Sequence, residues 1–134
     1  MSNFSNLRQS IFQTRNTLFE TPRGEKRCEV KKQLYKLFDE LRDSLNSVLQ
    51  DFESQGKITY LPDWKVYKCG EVYLRVSTWG SLRRTEWTIY QIQISETPEG
   101  GQWFGNLDSD KYYIGLNMSK KTKEITEEIR LITR

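Results

Sequence analysis

Apolar residues recur every three or four positions through the first 56 residues and every second position through most of the remainder. In the first stretch, Phe4, Leu7, Ile11, Phe12, Leu18 and Phe19 fall on one broad face and predict a helix over 4–20. Thr21 and Pro22 then read as a cap followed by a proline at the first helical position. A second helix is expected from there to about Gln55, with Gly56 as its stop. Its seam is Leu34, Phe38, Leu41, Leu45, Val48 and Phe52, a coiled-coil-like repeat widened by Leu37 and Leu49. Residues 1–56 are therefore expected to form an antiparallel helical hairpin.

From Lys57 the period is two. "KITYL", "WKVYKC", "EVYLRVSTW" and "TEWTIYQIQI" read as strands, separated by Pro62-Asp63, Gly70-Glu71 and the "GSLRR" loop. "QWFGNL" and "KYYIGLNM" suggest a further hairpin across Asp108–Asp110. The last residues carry Ile125, Ile129 and Ile132 at helical spacing. The expectation is one α+β domain: a hairpin over 1–56, an antiparallel meander of five to six strands over 57–118, and a closing helix over 119–134.

Strand register sorts the side chains. With Gly70-Glu71 as a two-residue turn, Cys69 faces Val72, and one face collects Tyr67, Cys69, Val72, Leu74 and Val76. Carrying the pairing on with Trp79 opposite Thr85 adds Thr88, Tyr90, Ile92 and Ile94 to this core face. The opposite face receives Trp64, Val66, Lys68, Tyr73, Arg75, Ser77, Trp79, Trp87, Ile89 and Gln91, with Arg83 and Arg84 in the adjoining loop. Aromatic planes beside cations suit a stacking platform for nucleic acid. The competing reading lays the closing helix over this face and makes the sheet the middle of a sandwich.

Composition narrows the chemistry. Seven Tyr, six Phe and four Trp in 134 residues supply a core, and the net charge of +3 is only mildly basic. There is no histidine, and Cys28 and Cys69 are the only cysteines. A disulfide framework, a zinc site and every His-assisted nucleophile are disfavoured, and no cofactor is expected. No apolar run resembles a membrane span, so a reducing, cytoplasmic setting is expected.

Charge is divided along the long helix. Residues 21–36 hold six cations against Glu25 and Glu29, and residues 37–56 hold Arg42 against five acids, which gives +4 and −4. This order opposes the helix macrodipole. It suits an anion held by Arg27 and Lys31 at the basic end, or an antiparallel homodimer that sets one half against the other.

"PDWKVYKCGEVYLRV" resembles the arrangement of PD-(D/E)xK nucleases, in which carboxylates on neighbouring strands hold magnesium. The resemblance would make Asp63 and Glu71 metal ligands, but Tyr73 stands where that family has its lysine. "KYYIGLN" contains a tripeptide of GIY-YIG nucleases without the helix arginine and glutamate of that family. The preferred expectation is a non-enzymatic binder of nucleic acid or another polyanion. Tyr73, Trp79 and Trp87 would stack, and Lys68, Arg75, Arg83 and Arg84 would meet phosphates. The alternative is a regulator or inhibitor that binds an acidic protein surface, of the kind phages and plasmids carry. A degenerate metal-dependent nuclease comes third.

Overall fold

The computed structural model describes residues 3–78, 89–99, 105–107 and 116–134. Their order is helix α1 (Asn3–Glu20), helix α2 (Glu25–Ser54), strands β1 (Thr59–Leu61), β2 (Val66–Cys69), β3 (Val72–Ser77), β4 (Gln91–Ser95) and β5 (Gly105–Asn106), and helix α3 (Lys120–Thr133). The strands pair antiparallel in chain order. The α+β class and the hairpin–meander–helix order are as expected. The strand count is at the lower end of the five to six expected: four strands of three to six residues and a two-residue fifth, with no sixth among the described residues.

α1 packs on α2 through a narrower stripe than its sequence suggests. Phe4, Ile11 and Leu18, seven apart, are buried, whereas Phe12 and Phe19 are 56% and 53% exposed. A helix with one principal neighbour covers only one seam, and the next turn's apolar residues are left outside. The inner stripe includes Arg15, 7% exposed, whose guanidinium lies 5.5 Å from the Phe12 ring and 5.9 Å from that of Phe38. The aromatic faces give that buried cation an electrostatic partner.

α2 buries Leu34, Phe38, Leu41, Leu45, Leu49 and Phe52. Leu49 replaces the expected Val48, which is half-buried. The buried steps are therefore 4, 3, 4, 4, 3, which breaks the strict alternation of 4 and 3 that a coiled-coil seam keeps. The start of α2 also differs from expectation. Gly24, at φ 144°, precedes the first turn, and no side chain among the described residues caps it. Thr21 belongs to the end of α1: its N–H donates to Leu18 O and its hydroxyl to Thr17 O, at 3.3 and 2.6 Å. The stop at Gly56 is as expected. Gly56, at φ 74°, donates to Glu53 O, and Lys57 N–H reaches back to Phe52 O. Both bonds together form a Schellman motif, and Lys57 Nζ lies 5.1 Å from the Phe52 ring.

α2 and α3 share one face of the sheet, α2 over β3 and β4 and α3 over β2. Ile125 and Ile129 join the same core as Cys69, Val72, Leu74, Ile92 and Ile94. The closing helix therefore does not lie over the opposite face. Ile132 is 44% exposed, and its expected place is taken by buried Thr122, Thr126 and Thr133. Thr126 and Thr133 hydroxyls donate to carbonyls one turn back, so burying them leaves no polar atom stranded.

Candidate functional site

The Gly70-Glu71 turn has the expected register, with Cys69 opposite Val72. Gly70, at φ 57°, takes the first central position, as a type II′ hairpin requires. Glu71 then faces the start of α3. Its Oε2 accepts from Ser119 N–H at 3.2 Å, while Ser119 Oγ accepts from Thr122 N–H. The Thr122 hydroxyl, followed by the Ser119 N–H, holds the Glu71 carboxyl down at about 2. Its folded value lies below the ordinary carboxylate value, so the contribution is full above about 4.5 and is lost as pH falls towards 2. Melting temperature should fall over that window, and Glu71→Gln should flatten this part of the acid limb. An unchanged limb in Glu71→Gln would show that the contact of Glu71 with Ser119 and Thr122 contributes nothing to stability.

This placement bears on the nuclease resemblance. Asp63 lies in the turn before β2 and Glu71 in the turn after it, at opposite ends of the strand. Among the described residues no three potential ligands group to hold a metal ion. The Cys69 thiol is buried and pushed up to about 11 by desolvation, which makes it a poor nucleophile.

Trp79, Arg83, Arg84 and Trp87 lie outside the described residues. The remaining members of the expected platform are on the sheet face away from the helices. Lys68 pairs with Tyr73, and Arg75 with Gln93. Lys68 is exposed, but Tyr73 and Arg75 are half-buried, and Val66, Gln93 and Ser95 between them are buried. Arg75 Nε donates to Gln93 Oε1 at 2.9 Å, and desolvation lowers the Arg75 pKa. The middle of this face is therefore largely closed, and its half-buried arginine is bonded within the sheet. Among the described residues, buried Gln93 Nε2 has no hydrogen-bond partner.

The basic end of α2 divides in two. Arg27 Nη1 donates to Leu18 O at 2.6 Å and Thr21 O at 2.8 Å, closing the carbonyl end of α1. The hairpin sets that negative helix end beside the cationic start of α2, which accounts for part of a charge order that opposes α2's own dipole. Lys26, Lys31, Lys32 and Lys36 are exposed, and none forms an ion pair among the described residues. Lys31 Nζ lies 6.0 Å from the Tyr35 ring. Farther along, Arg42 is bound to Asp39 and Asp43.

A cleft of about 550 Å³ opens where the C-terminal half of α2 passes the end of the sheet. Asn46, Gln50 and Glu53 line it from the helix, and Tyr60, Lys65, Tyr67, Arg75 and Val76 from the sheet. Tyr60 and Tyr67 are cross-strand partners with ring centroids 4.9 Å apart at 57°. Burial, then the Glu53 carboxylate, raises the Tyr67 pKa, so its hydroxyl stays a donor. Lys65 is left-handed at φ 55°, and Trp64 beside it is 49% exposed. Sequence reasoning placed Tyr67 in the core and gave Tyr60 and Gln50 no role. Tyr60 and Tyr67 lie in strands that the sequence predicts, but which side of α2 would face them depends on tertiary packing. No protein-family model, curated protein or solved structure matches the chain.

Proposed function

We propose that the protein binds nucleic acid, using the exposed lysines of α2 for phosphates and the aromatic end of the sheet for bases. The observation that supports this most directly is the group Lys26, Lys31, Lys32 and Lys36: solvated, of one sign, and without an ion pair among the described residues. Such a group gains from releasing the counterions of a phosphate backbone. Four phosphate contacts to a single strand give a slope of about −3 in log affinity against log salt. Lys32→Glu with Lys36→Glu should roughly halve that slope and weaken binding to every sequence alike. Negligible affinity at low salt defeats the proposal.

A second reading, a protein-binding regulator, is favoured by the exposed Phe12 and Phe19 on the outer face of α1. In the same titrations, Phe12→Ala with Phe19→Ala leaves nucleic-acid binding intact under the first reading. The second reading expects that pair to abolish a defined protein complex that the lysine variants keep. The antiparallel homodimer is also a proposal. Exposed Lys32, Lys36, Glu40 and Asp43 make a self-complementary stripe on α2. Surface pairs of this kind contribute about 0–1 kcal/mol each, so the dimer should be weak and confined to low salt. Sedimentation in the same salt series reads it, and a monomer at the lowest salt rules it out.

A further inference from the structure

We infer that the cleft beside α2 holds one unstacked nucleotide of a single strand, an inference that rests on the nucleic-acid reading above. Its volume, about 550 Å³, is that of a small-ligand pocket. Tyr60, 39% exposed and tilted against buried Tyr67, presents a ring to the cleft that its neighbour holds in place. A ring of that kind accepts any base by stacking.

The opposite wall is set by the helix repeat. Asn46, Gln50 and Glu53 are four and three residues apart, so they project from one side of α2. Two side-chain amides offer paired donors and acceptors, and a carboxylate accepts from an exocyclic amino group. Lys65 supplies a cation, with exposed Trp64 next to it as a second stacking surface. Glu53, set in the same lining as Lys65 and Arg75, narrows the ligand class. A carboxylate in the lining opposes a bare polyphosphate, while a base bearing an amino group makes use of it. A base locked in a duplex cannot turn into such a cleft, so the strand must be single or locally open.

Three probes separate the possibilities on the full chain by fluorescence anisotropy: a labelled single-stranded oligodeoxynucleotide of mixed sequence, its duplex, and inorganic polyphosphate. Tyr60→Leu keeps an apolar residue on the strand but removes the ring. Gln50→Ala changes an exposed helix position where alanine favours the fold. Tyr60→Leu should weaken single-strand binding by about 5- to 150-fold, the effect of losing one stacked base. Gln50→Ala should change the preference among bases. Neither should alter binding to duplex or polyphosphate. If both variants bind the single strand like the parent while the double lysine reversal loses affinity, the cleft is not the base site and the broader function stands. If the parent binds none of the probes at low salt, the broader function fails as well.

Discussion

Phe38→Ala should destabilise the protein by about 3–5 kcal/mol, which at this chain length lowers the melting temperature by roughly 10 °C or more. Phe38 is 0% exposed and sits midway along α2. Its ring meets Tyr35 edge-on at 6.2 Å and lies 5.9 Å from the Arg15 guanidinium. Removing it opens a cavity, and the surrounding side chains recover only part of the lost contact. It also withdraws one of two rings flanking a buried cation, a second cost that a purely apolar site would not have. Phe38→Leu should cost markedly less, since it keeps most of the volume, and the difference between the variants measures the ring. Thermal and urea unfolding followed by circular dichroism give both numbers. A loss below about 1 kcal/mol for the alanine variant would mean that α1 and α2 do not close on this ring.

Gly70→Ala should be the second large effect, at about 2–5 kcal/mol. Two causes add. At φ 57° an alanine is strained by about 1–2 kcal/mol. A Cβ there would stand 2.0 Å from Thr122 Oγ1, so one of the two must move. Thr122 has little room to turn, being buried, β-branched and bonded to Ser119 Oγ at 3.0 Å. The double variant Gly70→Ala, Thr122→Ala removes the obstructing oxygen and leaves the backbone strain. A double-mutant cycle should therefore return a coupling of about 1–3 kcal/mol, with the double variant less damaged than the two singles imply. Additive losses would show that the turn and α3 are not in contact.

Much of this was readable from the chain because short-range rules and side-chain alternation agree. The flanks of Gly56 and Gly70 predict a helix stop and a hairpin turn, and both glycines have positive φ. The β3–β4 pairing was not readable. Trp79 opposite Thr85 would set Val76 against Thr88, whereas Val76 lies opposite Ile92. The pairing differs by four residues, and because four is even the side chains of β3 and β4 keep their expected faces. Pattern fixes the parity of a strand, while loop length and packing fix its position. α1 failed for the complementary reason. Its apolar residues predict one broad face, but one principal neighbour buries one seam, and Arg15 enters that seam because aromatic rings receive it. The nuclease-like spacing of Asp63 and Glu71 failed because a strand carries its two flanking turns apart. The cleft was illegible for a simpler reason: Gln50 and Tyr60 are ten positions apart, and only packing makes them neighbours.

Arg8 Nη1 donates to Thr133 O at 2.5 Å and to Arg134 O at 3.2 Å, a stitch between α1 and the last turn of α3 across 125 residues of chain. The hairpin of α1 and α2 is closed by four intervening residues and can assemble on its own schedule. The stitch must wait until the whole meander has formed, because the loop it closes contains the sheet. Folding should therefore end at this seam, with α3's final carbonyls satisfied last. In hydrogen exchange, the amides that open with the final turn of α3 should include those of α1's first turns, although almost the entire polypeptide separates them.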